Sequence, residues 1–474
     1  MPPTIPPCLK MTHDAIERPG SSPPHLERRL GLRAATVTNM LTMVGAGPFI
    51  TIPLLLGTMQ GPQAMLGWVV GAAIAICDGL AWAELGAAIP QSGGGYHYLL
   101  ASYGPNGLGR LASFLFLWQG VAITPLIFAS GAVGFSGYAM YLFPAMTSQQ
   151  ATLLAVGVCM LSTLLIYRRI DNVGRLGAAF GVIILVAALW IIGEGILHGR
   201  LGSIAAPPGA FNGSRGFWVG LGSATLFAMY DYGGYQTVCF VGGEVLRPRV
   251  TIPRSIIIAI VAVGFLYLAM NISIISVMPL REAMQSKFIV SDFIAQLHGR
   301  RAASLMTILI LVIILAGVFA GMLGSSRIPH AAAEKGHFFS AFARLHPTGH
   351  FPTFSVLFVG FATSLCCLLD LDALIQASTV IIILTQSIPV LGAVVMLRAR
   401  RPDIERPFKL WMYPAPLVVA LAGWTYIVCT SGLTYIIVGF AVFFAGVAAY
   451  LWRAKRDTEW PWLAPEPAIL GGDR

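Results

Sequence analysis

Charged residues are scarce in this chain. Only 11% of its 474 residues are Asp, Glu, Lys or Arg, while 56% are apolar, and the mean hydropathy is +0.76. A soluble domain carries about 25% charged residues. The shortage excludes an ordinary soluble fold and points to an all-α polytopic membrane protein. Catalytic clusters are missing as well. All nine histidines (His13, His25, His97, His198, His298, His330, His337, His346, His350) fall in tails, loops or span ends. No HExxH, GxSxG or paired-carboxylate motif sits at membrane depth, so metal hydrolysis and acyl transfer lack ligands and nucleophiles. The chain does not read as an enzyme, and no cofactor or metal is expected. Cys77, Cys159, Cys239, Cys366, Cys367 and Cys429 lie in apolar spans and Cys8 in the N-terminal tail, as small buried hydrophobes would. With no cysteine in an outer segment, nothing points to a disulfide-linked protein partner. Residues 1–30 contain no apolar stretch of the signal-peptide kind, and this tail and residues 454–474 are expected to be disordered.

Membrane-length apolar sequence is abundant instead. Twelve spans follow one another at about 34–57, 64–89, 108–142, 151–168, 172–197, 217–242, 254–277, 301–325, 353–369, 373–397, 411–429 and 433–452. Each is near the ~20 residues needed to cross the hydrocarbon core. The net charge of +10 raises the question of a nucleic-acid partner, and its distribution answers it. With both termini cytoplasmic, 24 of the 30 Lys and Arg lie in inner segments and 6 in outer ones. That is the positive-inside bias of a protein whose partner is a lipid bilayer, here a plasma (inner) membrane, and not nucleic acid. One outer stretch, 278–300, dissents. It holds Arg281, Lys287 and Arg300, with Arg301 beside it, together with Glu282 and Asp292. Its length predicts a short folded element.

Two of the spans are interrupted in the middle, at corresponding places. The first is broken by Val44-Gly45-Ala46-Gly47-Pro48 and the sixth by Tyr230-Asp231-Tyr232-Gly233-Gly234. A helix broken inside hydrocarbon leaves backbone groups unpaired, so a break persists only where it lines a buried or wet site. A matched pair points to a substrate site between inverted repeats. The breaks lie 188 residues apart (45 to 233), and the next two spans start 190 and 193 apart (64 to 254, 108 to 301). Five spans per copy is an odd number, so the second copy enters the membrane from the opposite side. The expected architecture is a 5+5 inverted-repeat transporter fold with two discontinuous helices plus two accessory helices. Its parts are an N-tail (1–33), repeat one (34–197), an outer loop (198–216), repeat two (217–397), the accessory pair (398–452) and a C-tail (453–474).

Local motifs agree with a family. Span two ends Ala83-Glu84-Leu85-Gly86-Ala87-Ala88-Ile89-Pro90-Gln91-Ser92-Gly93-Gly94-Gly95-Tyr96, and the first break carries Gly45-Ala46-Gly47. After the second break, Gly243-Glu244-Val245 leads through Arg247-Pro248-Arg249 to Ile252-Pro253-Arg254. Span eight ends Ser325-Ser326-Arg327, before Glu334-Lys335-Gly336 and His346-Pro347. In this order the segments resemble the amino acid–polyamine–organocation superfamily, and within it the bacterial-type amino acid permeases. The resemblance covers about residues 30–452. It implies a secondary transporter that moves amino acids by alternating access, with a polyamine or organic-cation transporter as the alternative. A non-transporting nutrient sensor is the rival from another class, and it would normally carry a large soluble domain.

The same resemblance implies that the first break holds a substrate carboxylate, through Gly45, Ala46 and Gly47. Carbonyls of the sixth helix would hold its ammonium group, through Tyr230, Asp231 and Gly233. Physical reasoning runs the same way. Free N–H groups at a half-helix start favour an anion, free carbonyls at a half-helix end favour a cation, and glycine admits close approach.

Several residues carry competing readings. Pro48 either removes an N–H from the first break or only shapes the helix. Asp231 pairs with a cationic group of the substrate, caps the second half-helix, or carries a proton. Glu84 reads as the partner of an inner-loop arginine. Asp78 lies about 9 Å deeper in the same span. It is a proton carrier, since burial disfavours its charged form, or half of a structural polar pair. Phe49, Trp118 and Tyr232 either gate the pocket or pack. The resemblance would place a proton-coupling lysine within 181–190 and Ser or Thr of a sodium site within 308–320; neither stretch contains them. Asp78 and Asp231 make a proton a better coupling ion than sodium, with exchange and uniport also open.

Overall fold

The computed structural model describes residues 28–105, 107–167, 173–200, 202, 205–334, 336–346, 351–456 and 460–462. Within them the regular structure is helical, with isolated backbone bridges and no strand. The first expected span becomes α1 (Leu32–Met43), α2 (Gly47–Ile50) and α3 (Ile52–Met59), and its axis bends by 62° where Leu32–Ile50 gives way to Ile52–Met59. Pro48 sits in the first turn of α2, where its missing N–H would have had no intrahelical partner. The next helices are α4 (Leu66–Ala88), α5 (Gly95–Tyr103), α6 (Leu108–Leu142) and α7 (Ser148–Ile166). Gly93 and Gly94 take φ of 109° and 47°, values that glycine adopts freely, and turn the chain into α5. A capping box between Thr147 and Gln150 starts α7. At 35 residues, α6 is about 52 Å long and overshoots a ~30 Å hydrocarbon core.

The sixth expected span is split into α9 (Arg215–Tyr232), which follows α8 (Val173–His198), and a short α10 (Thr237–Phe240). Then come α11 (Pro248–Val277), α12 (Leu280–Gln285), α13 (Ile289–Glu334) and α14 (Thr353–Cys366). The element expected in 278–300 is α12 plus the first turns of α13, which a non-helical Gly299 (φ 77°) sets off from the rest. Span eight, expected over 301–325, therefore lies inside a longer helix. The remainder is α15 (Leu371–Ile382), a π-helical turn at Ile383–Ser387, α16 (Ile388–Arg400), α17 (Ala415–Thr430) and α18 (Leu433–Arg456). Each expected span overlaps one helix or a run of consecutive helices. By length and composition, seven of the described helices, or eight with the bent pair, can cross a membrane, and three shorter apolar helices accompany them.

Packing places the two broken helices at the centre. α1 lies on α11 while α9 lies on α4, α4 packs against α11, and α6 against α13. Small residues on α4 allow this closeness. A side chain on Gly67 would stand 2.7 Å from the Ala224 backbone of α9, and one on Gly79 would stand 2.8 Å from Ile260 of α11. Such small-residue seams replace the hydrophobic effect as the means of helix association in lipid. α17 covers α4 and α9, and α18 covers α6 and α15. Little of α18 is buried, in keeping with a helix at the rim.

Candidate functional site

The two breaks meet. α1 ends where the Val44 N–H donates to the Met40 carbonyl at 2.8 Å, and Gly45 and Ala46 follow before α2 begins. α9 ends with the Gly233 N–H shared between the Met229 and Tyr230 carbonyls at 3.1 and 3.2 Å. Gly234 then takes φ +116°, and a side chain there would lie 2.8 Å from Thr42 Cγ2 and 3.0 Å from the Thr42 backbone. The conformation and the contact both require glycine. Sequence reasoning singled out Gly233, but Gly234 is the residue pressed against the end of α1. Gly45, Ala46 and Gly47 are half-buried, and Gly233 and Thr42 are exposed. Both breaks thus reach open space from within the bundle.

Asp231 joins the breaks. It is 2% exposed, and its Oδ2 accepts the Thr51 hydroxyl at 2.5 Å. Its Oδ1 has no partner and is aimed at Gly47, where an added Cβ would stand 2.0 Å from it. Of the expected roles, capping its own second half-helix is not what it does. Helical side chains tilt toward the N-terminus, so Asp231, on the last turn of α9, leans away from α10. Asn39 of α1 supplies that cap: its Oδ1 accepts the Val238 N–H at 2.8 Å. Nothing in the sequence connects these two positions, which lie 199 residues apart.

The other named residues divide. The Tyr230 hydroxyl lies 2.6 Å from Ser130 Oγ on α6, tying the second break to that helix. Phe49 is buried, and its carbonyl accepts the Tyr138 hydroxyl at 2.7 Å. Tyr232 is buried between Trp68 and Tyr267, with ring centroids 5.8 Å from each, and its hydroxyl donates to the Trp68 carbonyl at 3.3 Å. Trp118 is not brought to the breaks. Its indole N–H donates to the Val442 carbonyl of α18 at 3.0 Å, since its position on α6 falls on the face that α18 covers. Tyr267 of α11 was not anticipated. Its hydroxyl donates toward the Met43 carbonyl at 2.8 Å and the Asp231 carbonyl at 3.1 Å.

A cleft of about 390 Å³ opens beyond the breaks. Leu54 and Thr58 of α3, Val219 and Phe227 of α9, and Asp372 and Gln376 of α15 line it. Leu54 is three residues past Thr51, and Phe227 four before Asp231. The cleft therefore ends about one turn, roughly 5–6 Å, short of the Thr51–Asp231 bond.

Residues 30–463 match the family model described as Amino acid permease. The chain belongs to that family. It is 30% identical to the human large neutral amino acids transporter small subunit 2, over 91% of this chain and 82% of that protein. It is 29% identical to the human Asc-type amino acid transporter 1, over 91% of this chain and 84% of that protein. With the human cystine/glutamate transporter it shares 26% identity over 93% of this chain and 88% of that protein. The enzymatic reading falls with this membership.

The permease also explains its span-two carboxyls. Glu84 is fully buried and binds Arg398 of α16 through two bonds of 2.8 and 2.6 Å. The Leu410 N–H adds a third at 2.8 Å, and the guanidinium lies 4.0 Å from the Tyr413 ring centroid. The expected arginine partner is thus at the end of α16. Asp78 accepts the Tyr235 hydroxyl at 2.6 Å and the Trp424 indole N–H at 3.1 Å. Each oxygen has a donor, which is the polar-pair arrangement, and through Tyr235 it anchors the second break to α4 and α17.

Proposed function

We propose that this permease is a secondary transporter that carries amino acids across the membrane by alternating access, holding them between the two breaks. The observation that carries this reading is the unpartnered, buried Oδ1 of Asp231 set between the broken helices. A buried carboxylate oxygen without a donor is costly, and a substrate ammonium supplies one. The substrate carboxylate is assigned to the N–H groups of Gly45 and Ala46. The chain's own carboxylate already fills the space beside Gly47, which leaves Gly45 and Ala46, without Gly47, for the anion. Mirrored packing of α1 on α11 and α9 on α4 supports two inverted five-helix repeats. The cleft that stops one turn short of Asp231 supports a barrier on that side. We assign both termini to the cytoplasm and the protein to the plasma (inner) membrane, on the bias of basic residues.

Amino acids are preferred to polyamines because the two breaks offer sites for both charges of a zwitterion, and the relatives named above are amino acid transporters. The test is uptake of labelled amino acids and polyamines into proteoliposomes. Asp231→Asn is expected to weaken amino acid uptake about tenfold, the difference between a charge-assisted and a neutral hydrogen bond. Complete loss, or accumulation of polyamines alone, would overturn the assignment. Binding without accumulation would make the protein a sensor.

A further inference from the structure

The hydroxyl of Tyr267 occupies a place where two helix ends of like charge converge. Met43 is the last residue of α1, and Asp231 is the last but one of α9. Carbonyls in the last turn of a helix have no N–H partner within it and carry its negative partial charge. Two such ends aimed at one point repel each other, and together they would draw in a small cation. Here the point holds a single O–H, 2.8 Å from one carbonyl oxygen and 3.1 Å from the other. One proton serves both acceptors. The residue is fully buried, its ring is held by Trp68 at 4.8 Å and Tyr232 at 5.8 Å between centroids, and Asn271 bonds back to its carbonyl at 2.9 Å. The hydroxyl cannot swing away without unpacking that aromatic group.

We infer that Tyr267 is a positioning residue. Its hydroxyl takes the place of a cation between the carbonyl ends of the two half-helices, and so fixes the gap that a substrate's ammonium and carboxylate have to span. The inference rests on the proposed function and deepens it. Thr51–Asp231 joins two side chains across the breaks and Asn39–Val238 a side chain to an N–H, but Tyr267 alone among these contacts acts on the carbonyl dipoles of both.

Tyr267→Phe keeps the ring and removes only the donor. In choline chloride, the KM of the variant for its amino acid is expected to rise at least about tenfold, with kcat changed far less. In sodium chloride the KM should fall back, because sodium can enter the vacated point, whereas the wild-type KM should be the same in both salts. Ser130→Ala is the control: it removes the partner of another tyrosine, Tyr230, without touching the carbonyl ends, and should show no dependence on the cation. Thermal unfolding of purified Tyr267→Phe should show stabilisation by sodium over choline that the wild type lacks, and this needs no substrate. Should wild-type protein take up no amino acid, the proposed function fails while this unfolding test still reads the carbonyl pair. An unchanged KM, or a raised KM and an unfolding temperature both indifferent to sodium, overturns the inference.

Discussion

Leucine in place of Gly45 is expected to abolish uptake and leave the protein folded. A Cβ built on Gly45 meets nothing within 4 Å, so the substitution starts into open space. The backbone there lies outside the left-handed region, so leucine adds no conformational strain. What it does fill is the gap between the breaks to which the substrate is assigned. Displacing a reacting or bound group by about 1 Å already costs on the order of a hundredfold, and a leucine removes the room altogether. Gly47→Ala should behave differently. Its Cβ would lie 2.0 Å from Asp231 Oδ1, so the aspartate has to move and the Thr51 bond breaks. Overpacking of this kind costs about 1–3 kcal/mol, read as a lower unfolding temperature. Adding Asp231→Ala to Gly47→Ala should recover that stability without recovering uptake. Proteoliposome uptake and thermal unfolding, measured side by side on the three variants, separate the effects. Gly45→Leu protein that still accumulates substrate would show that the site lies elsewhere.

Loss of Arg398 is expected to damage the fold more than any change at the breaks. Glu84 is wholly removed from solvent, and three of the bonds that satisfy it come from Arg398 and the Leu410 N–H. Removing one partner of a buried ion pair leaves the other charge stranded, which costs about 3–5 kcal/mol. Arg398→Ala should therefore unfold well below the wild type, and Glu84→Gln by a smaller margin, because the amide oxygen can still accept from Leu410. The pair joins α4 to the end of α16, so the damage spreads across both halves of the chain. Replacing both partners with apolar residues (Glu84→Leu with Arg398→Met) should restore much of the stability, as buried pairs often exchange for hydrophobic contact at little net cost. Thermal unfolding of the singles and the double in one detergent gives the coupling energy. An Arg398→Ala protein as stable as the wild type would show that Glu84 does not depend on this partner.

The helices and both breaks were legible because each rests on a local property. Hydropathy marks a span, and a glycine cluster inside one marks a break, so residues 108–142 come out at the same limits from sequence and structure. What joins the breaks was not legible. Asp231 finds Thr51, Asn39 finds Val238, and Tyr267 finds Met43, over separations of 180, 199 and 224 residues, and no spacing rule connects such positions. Asp231 was legible as an unusual charge, and one of its candidate roles, the cap of its own half-helix, failed on the tilt of helical side chains. Of its two readings Trp118 keeps packing and loses the gate, for a related reason. Its place in span three does not say which face of a long helix meets the centre and which meets α18. Glu84 could be paired with an arginine in advance because a buried carboxylate near basic loops has few other ways to be satisfied.

Leu54 and Phe227 leave only about one turn between the cleft and the Thr51–Asp231 bond, and this has an electrical consequence. If water fills the cleft on one side and reaches the exposed Gly233, six residues or about 9 Å past Phe227, on the other, the transmembrane voltage falls across that stretch and not across the ~30 Å of a lipid core. An elementary charge crossing it gains or loses about 2.3 kcal/mol for every 100 mV, all within that short stretch. A zwitterion carries no net charge through this focused field, so its uptake by exchange or uniport should be silent to an electrode, whereas a proton moving with it would give a current. A solute with a surplus positive charge would draw a current instead, and the resting voltage would drive its accumulation.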